Sequence, residues 1–159
     1  SVNLDDYMVV FFEGDDDGVY DMTRGAVLGT TGSSGHFLIA NSMVPGAQAS
    51  IPNSTLATMS GANAVVLYQG TVLPASTATL ATIALPMVDA VVFSTEATAN
   101  DTGLLDLCYP AAADRLQVDE AANGEDPEDQ SVRRCGTKRR AGTSFGVGDP
   151  TPGAANGCP

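Results

Sequence analysis

The first candidate for chemistry is a run of three consecutive aspartates near the start of the chain: Asp15, Asp16 and Asp17. Closely spaced carboxylates followed by Gly resemble the start of a calcium loop, because Ca²⁺ prefers hard oxygen ligands. The rest of that loop departs from the pattern, since Glu13 replaces its first Asp and Arg24 stands where a bidentate Glu is needed. A solvated hairpin tip is the favoured interpretation, and weak calcium binding is the alternative.

Catalytic side chains are few. A Ser-His-Asp hydrolase would have to use the single histidine, His36, with Ser33 or Ser34, and neither serine lies in a Gly-x-Ser-x-Gly motif. The adjacent carboxyls of Asp119 and Glu120 have no apolar segment beside them in the sequence, so we expect neither a raised pKa nor general-acid work. These residues predict a protein that is not an enzyme.

Three cysteines match neither a zinc spacing nor a Cys-x-x-Cys redox motif: Cys108, Cys135 and Cys158. Cys135 and Cys158 flank a Gly- and Pro-rich segment with little core of its own, where a cross-link restrains the chain most. We therefore favour a disulfide between these two. Cys108 is then either a buried free thiol or a link to another molecule.

Two stretches match the acceptor pattern for N-glycosylation, Asn53-Ser-Thr55 and Asn100-Asp-Thr102. Both lie in polar, turn-like sequence, where a glycan would remain at the surface. Such triplets also arise by chance. Asn53 and Asn100 are therefore candidate glycosylation sites of an extracellular protein.

Length and charge limit the classes of protein. A chain of 159 residues suits one domain with one core, taken as residues 1–159. Nineteen acidic against seven basic residues give a formal net charge of -12, which repels phosphate backbones and anionic lipid. No apolar run approaches the ~20 residues that span a bilayer. We expect a secreted protein whose signal has been removed, with neither nucleic acid nor membrane interior as a partner.

The elements that would position these residues are short strands. Ala62–Gly70 and Val88–Ser94 are rich in Val and aromatic residues and too short for ordinary helices. Both are predicted to be central strands buried on both faces. Asp6–Phe12 predicts another strand, which the acidic turn would join to a returning partner at Val19–Met22.

One short helical turn is expected at residues 101–108, with Asp101 or Thr102 as its cap. The chain then changes composition. Residues 114–129 are acidic and predict a surface loop, and the tail after Phe145 is rich in Gly and Pro and predicts a coil pinned at its end. Residues 114–159 are therefore expected to be rich in loops.

A basic cluster follows the acidic loop: Arg133, Arg134, Lys138, Arg139 and Arg140. It lacks the interleaved aromatics of a nucleic-acid site and belongs to an acidic chain. Contact with the acidic loop of a neighbouring molecule is an alternative role, which salt would weaken.

The span from Gly25 to Val88 contains no Asp, Glu, Lys or Arg. Such a span lacks the charged residues that normally keep strand edges from pairing with other chains. It is either well buried and shielded by glycan, or it meets other chains. Uncharged surfaces rich in Ser, Thr and Ala are also tolerated in secreted proteins.

Six segments carry a resemblance to a known family: Leu4–Gly14, Phe37–Asn41, Ala62–Gly70, Val88–Phe93, Ser131–Cys135 and Pro150–Asn156. In this order they resemble the lamin tail domain over nearly the whole chain, and its secreted and bacterial branch most closely. The Pro-Thr-Pro-Gly-x-x-Asn ending is the most specific mark. The resemblance implies an all-β, immunoglobulin-like β-sandwich of about seven short strands with a long coiled C-terminal tail. It brings no catalytic residues to this sequence.

The sequence departs from the family in two places. The family has an additional strand before the segment that begins here at Ser1, so we expect this first strand to be truncated, rearranged or donated by a neighbouring chain. The family's usual Trp is absent as well. Phe12, Tyr68 and Phe93 are expected to fill its volume.

Members of the family are mostly adhesive or scaffolding modules, found alone, in filament proteins or attached to extracellular nucleases and phosphatases. The first hypothesis is therefore a non-catalytic extracellular structural and interaction module that assembles with copies of itself through strand edges. An accessory targeting module of a secreted nuclease or phosphatase is the second. A calcium-dependent adhesion module using Asp15, Asp16 and Asp17 and the acidic loop from Asp119 to Asp129 is the third, and no other cofactor is expected.

Overall fold

The computed structural model describes residues 1–20, 25–41, 43–51, 61–95, 100–121, 129–151 and 154–158. Within these ranges the chain forms nine strands and one α-helix. The strands are β1 (Tyr7–Glu13), β2 (Gly25–Val27), β3 (Ile39–Asn41), β4 (Ala49–Ile51), β5 (Ala62–Gln69), β6 (Met87–Ser94), β7 (Val118–Asp119), β8 (Ser131–Arg134) and β9 (Phe145–Gly148). The helix α1 is Thr102–Cys108, and single 3₁₀ turns lie at Leu80–Thr82, Ala112–Asp114 and Gly142–Ser144.

A five-stranded sheet in the order β2-β1-β5-β6-β7 forms the centre of the molecule. Its first four strands are antiparallel neighbours, and β7 runs parallel to β6. β5 is the middle strand and β6 lies between two neighbours, so the prediction of two central strands is confirmed. Strand β2 begins at Gly25, where any β-carbon would collide with the carbonyl oxygen of Val9.

One face of this sheet carries the main core. Strand geometry places alternate side chains on the same face, and here they are fully buried: Met8, Val10, Phe12, Ala64, Val66, Tyr68, Ala90 and Val92. The helix α1 covers them through Leu104, Leu105 and Cys108. Asp101 caps this helix by accepting the Leu104 N–H at 2.9 Å, and Tyr109 ends it because it precedes a proline.

The described residues cover the opposite face of the sheet only in part. Two separate two-stranded sheets, β3–β4 and β8–β9, accompany the central sheet. Ile39 and Ile51 of the first pack against Phe11. Several side chains of β5 and β6 on this face are only half-buried, among them Val65 and Val91, whereas those in the main core are fully buried. The prediction that these two strands are buried on both faces is therefore confirmed for the main core face alone.

Three aromatic residues were expected to fill one volume, and the structure divides them. The rings of Phe12 and Tyr68 meet edge to face with centroids 6.5 Å apart. Phe93 lies on the opposite face of the sheet, because it follows the buried Val92 by one residue and strand side chains alternate.

The turn after β1 forms the expected hairpin. The Glu13 N–H donates to the Gly18 carbonyl, and Phe12 forms an antiparallel β-bridge with Val19. Asp21 and Met22 of the expected returning strand lie outside the described residues. The structure is thus rich in strands, with one helix and several sheets, while the immunoglobulin-like sandwich and the coiled tail stay predictions.

Candidate functional site

The partly covered face of the central sheet contains an open apolar cleft of about 590 Å³. Its floor is the central sheet and its sides come from the segments around the two small sheets. The lining residues are Val9, Phe11, Phe37, Leu38, Ile39, Ile51, Val65, Val91, Phe93, Thr95, Glu120, Val132 and Phe145. A cleft of this volume and composition is typical of binding sites.

Among the described residues, Glu120 is the one ionisable side chain that lines this cleft. Its backbone N–H donates to the Ser94 carbonyl at 3.0 Å, which fixes the residue at the end of β7. Burial raises the pKa of its carboxyl, Asp119 raises the pKa further, and a hydrogen bond from the Val132 N–H opposes both. The expectation of no raised pKa here is wrong, because the apolar surroundings come from segments distant in sequence.

A smaller cavity of about 200 Å³ continues the cleft along the sheet. The two cavities share the walls formed by four residues: Val9, Val65, Val91 and Phe145. The smaller one ends at Asp89 and Arg134. Together the two cavities form one elongated depression, which we call the groove. Glu120 lies in its larger part and Asp89 in its smaller part.

The Asp89 carboxylate, unlike that of Glu120, is surrounded by donors. It forms an ion pair with Arg134 and accepts the backbone N–H groups of Arg140 and Ala90 at 2.8 and 2.9 Å. The Arg134 guanidinium also lies 4.6 Å from the centroid of the Phe145 ring, a cation–π contact. The β8–β9 hairpin is thereby fixed to β6.

Other members of the basic cluster also act within the molecule. The Arg140 guanidinium donates to the carbonyls of Leu107 and Cys108 at the end of α1, at 3.1 and 2.9 Å. Lys138 forms an ion pair with the buried Asp114 at 2.6 Å. These contacts favour an internal role over contact with a neighbouring acidic loop.

The three aspartates of the turn do not converge on one point. Asp16 accepts the Gly18 N–H at 2.8 Å and Asp15 is exposed. Asp17 instead approaches Asp101, since both carboxylates lie against Gly103. Burial raises the pKa of Asp17, and the charges of Asp101 and Asp16 raise it further. Among the described residues no three acidic, His or Cys side chains form a metal-binding group, and calcium binding stays a prediction.

The candidate hydrolase residues lie at the surface. Ser33, Ser34 and His36 are all exposed on one turn. The sequence also contains a Gly-x-Ser-x-Gly match at 142–146. Its serine, Ser144, is buried in a 3₁₀ turn that leads into β9, whereas a nucleophile elbow presents an exposed serine before a helix.

The cysteines take the arrangement that the sequence favoured. Cys135 and Cys158 form a disulfide with their Cα atoms 5.4 Å apart. Cys108 is free and fully buried, so a link to another molecule would first require α1 to leave the sheet. Asn100 is exposed, which suits a glycan, and Asn53 lies outside the described residues.

Comparisons with known proteins do not assign this cleft. No family model, no curated protein and no solved structure matches the chain. The resemblance to lamin tail domains therefore stays a prediction. No helix in the described ranges is long and apolar enough to cross a membrane.

Sequence reasoning missed the cleft and the place of Glu120 in it. A signal was present, since Val9, Phe11, Val65 and Phe93 are apolar on the face opposite the main core. Apolar residues on both faces of a strand predict that both faces are covered. Such a pattern does not show which part of a covered face remains open as a cleft.

Proposed function

We propose that this chain is a non-catalytic extracellular interaction module with an immunoglobulin-like β-sandwich, similar to lamin tail domains. It binds protein chains, copies of itself included, by receiving an extended segment in the groove. The two small sheets are then the two parts of a second layer. The received segment lies between them and completes the sandwich by strand addition.

The open apolar groove is the observation that supports this proposal most. Its lining includes four phenylalanines, Phe11, Phe37, Phe93 and Phe145. An exposed apolar surface of this kind is unfavourable in water, and contiguous apolar patches mark interaction sites in soluble proteins. The absence of Asp, Glu, Lys and Arg from Gly25 to Val88 adds to this, because few charges oppose the approach of a second chain.

The disulfide agrees with an extracellular location. Bonds such as Cys135–Cys158 persist in oxidising compartments and are rare in the cytosol. The net charge of -12 keeps isolated molecules apart at low ionic strength. Association through the groove should therefore strengthen as salt screens this repulsion.

Sedimentation velocity over a wide range of protein concentration tests the proposal, with electron microscopy of the concentrated samples. We expect the mean mass to rise with concentration in the wild type. Val132→Glu places a charge in the wall of the groove and should keep the protein monomeric. Val72→Glu is the matched control, because Val72 is 77% exposed and does not line the groove.

Circular dichroism melting shows whether both variants are folded. A wild type that remains monomeric at every concentration would exclude assembly with copies of itself. Equal association of the two variants would place the contact outside the groove.

A further inference from the structure

We propose that the segment received by the groove belongs to a protein partner, is extended and apolar, and carries one basic side chain that pairs with Glu120. This inference rests on the proposed function, because it describes the chemistry of the segment that the same groove binds.

The two carboxylates of the groove differ in the partners that they have. Asp89 is neutralised by Arg134 and accepts two backbone N–H groups besides. For Glu120 the structure shows one hydrogen bond, from the Val132 N–H, and no ion pair with any described residue. A carboxylate has room for about four hydrogen bonds. Glu120 can therefore accept a charged donor without losing the bond to Val132.

The surroundings of Glu120 favour a cation as its partner. The carboxyl group is half-buried at an apolar wall. A charge there has lost part of its hydration, and a nearby opposite charge restores stability more effectively than it would in bulk water. The neighbouring Asp119 adds a second negative charge and strengthens the attraction for a cation. Charge complementarity thus selects a basic group and disfavours an acidic one.

The shape of the site favours an extended occupant. The groove consists of two cavities that share four wall residues and run along the sheet face. A compact small molecule would fill only one of them. An extended chain can place alternate side chains in both, as peptides do when they bind beside strands. A protein segment therefore fits the groove better than a free amine does.

The chemistry of Glu120 can be tested with three probes of one shape: 1-aminoadamantane, 1-adamantanol and adamantane-1-carboxylate. Isothermal titration measures their binding to the wild type, to Glu120→Gln and to Asp15→Asn. The last is the control, since it removes one negative charge at an exposed turn away from the groove. We expect the amine to bind about tenfold more tightly than the alcohol, because a hydrogen bond from a charged donor is stronger than one from a neutral donor.

In Glu120→Gln this preference should disappear, and in Asp15→Asn it should persist. The carboxylate should bind most weakly to the wild type. Equal binding of amine and alcohol, a preference that survives in Glu120→Gln, or no binding of any probe would each overturn the inference. Melting temperatures of the variants show that differences do not come from unfolding.

Two blocked peptides then test the nature of the occupant: Thr-Val-Thr-Lys-Thr-Val-Thr and the same sequence with Gln in place of Lys. Tighter binding of the Lys peptide to the wild type, lost in Glu120→Gln, supports a protein segment. Binding of the amine probe without any preference between the peptides would mean that the groove binds a free small amine, and would overturn the inference. Because no step requires self-association, these results are independent of whether the protein is monomeric in sedimentation.

Discussion

Two tyrosines lie in the same buried core and differ in what their hydroxyl groups contact. The Tyr109 hydroxyl accepts the Val92 N–H at 2.8 Å. This N–H belongs to β6 and would otherwise be a buried donor without an acceptor. The Tyr68 hydroxyl is equally buried but has no hydrogen-bond partner among the described residues.

This difference predicts opposite results for the same substitution. Tyr109→Phe should lower the free energy of unfolding by about 1–3 kcal/mol, because it leaves the Val92 N–H buried and unpaired. Tyr68→Phe should be neutral or stabilising, since it removes a polar atom that the fold does not satisfy. Urea denaturation followed by circular dichroism measures both. Equal losses in the two variants would contradict the assignment of the Tyr109 hydrogen bond.

Cys108 makes the stability of the folded protein depend on pH in the alkaline range. Burial raises the pKa of its thiol from 9.0 to about 12, with the nearby Arg140 acting in the opposite direction. Above pH 9 the unfolded chain therefore binds fewer protons than the folded protein, and stability falls as pH rises. Burial raises the pKa of Tyr68 and of Tyr109 as well, so the loss becomes steeper above about pH 10.

We expect the urea midpoint to be nearly constant from pH 7 to pH 8 and to decrease above pH 9. Cys108→Ala should delay the start of this decrease towards the ordinary tyrosine pKa of 10.0. The comparison uses the change with pH within each variant, because the smaller side chain also lowers the baseline stability. An identical pH profile in the two proteins would show that Cys108 does not titrate differently on folding.

At the scale of the elements, the sequence predicts the long strands and the helix, because the residues within each of them favour that structure. β1, β5 and β6 are runs of β-branched and aromatic residues, and α1 directly follows a residue suited to capping it, Asp101. The strands of the two small sheets are only three or four residues long. Their pairing depends on contacts with distant parts of the chain, which periodicity does not encode.

The same distinction explains what could be predicted of the site. The Cys135–Cys158 pair followed from composition, because the segment between the two residues has little core. The groove could not be predicted from composition, because its lining residues come from segments that are far apart in the sequence, from Val9 to Phe145. Glu120 lies in an acidic stretch of the sequence, and only the packing of the central sheet beside it creates the apolar surroundings that raise its pKa.

The start of α1 allows a prediction at this scale. Asp101→Ala removes the acceptor for the Leu104 N–H and should cost about 1 kcal/mol. Asp101→Asn keeps an acceptor and weakens the repulsion of Asp17, whose pKa Asp101 raises, so its cost should be smaller. Thermal denaturation at pH 7 measures both variants. A cost in Asp101→Asn as large as in Asp101→Ala would mean that charge, and not capping, is what the helix requires.

At the scale of the whole molecule, Asp89 connects three parts of the fold. It belongs to β6 of the central sheet and contacts Arg134 of the β8–β9 hairpin and the backbone of Arg140. Arg140 in turn donates to the last carbonyls of α1. The position of the hairpin, and with it one wall of the groove, therefore depends on this carboxylate.

Replacing Asp89 should thus affect both stability and the groove. Asp89→Ala removes an acceptor of three donors and leaves the Arg134 guanidinium, 31% exposed, without its carboxylate. We expect a loss of about 2–3 kcal/mol, below the value for a fully buried pair because water reaches part of this one. Asp89→Asn keeps an oxygen for the Arg140 N–H and should lose about half as much. Urea denaturation measures both.

The Arg115–Asp106 ion pair provides the control, because its charged atoms lie 2.6 Å apart but Asp106 is 60% exposed. Asp106→Asn should cost less than about 1 kcal/mol, and added salt should reduce that cost further. In Asp89→Ala the hairpin should also be cleaved faster by protease under native conditions, since its attachment to β6 is weakened. If Asp89→Ala costs no more than Asp106→Asn, the hairpin is held by the packing of Val132 and Phe145, and the groove would keep its wall without the ion pair.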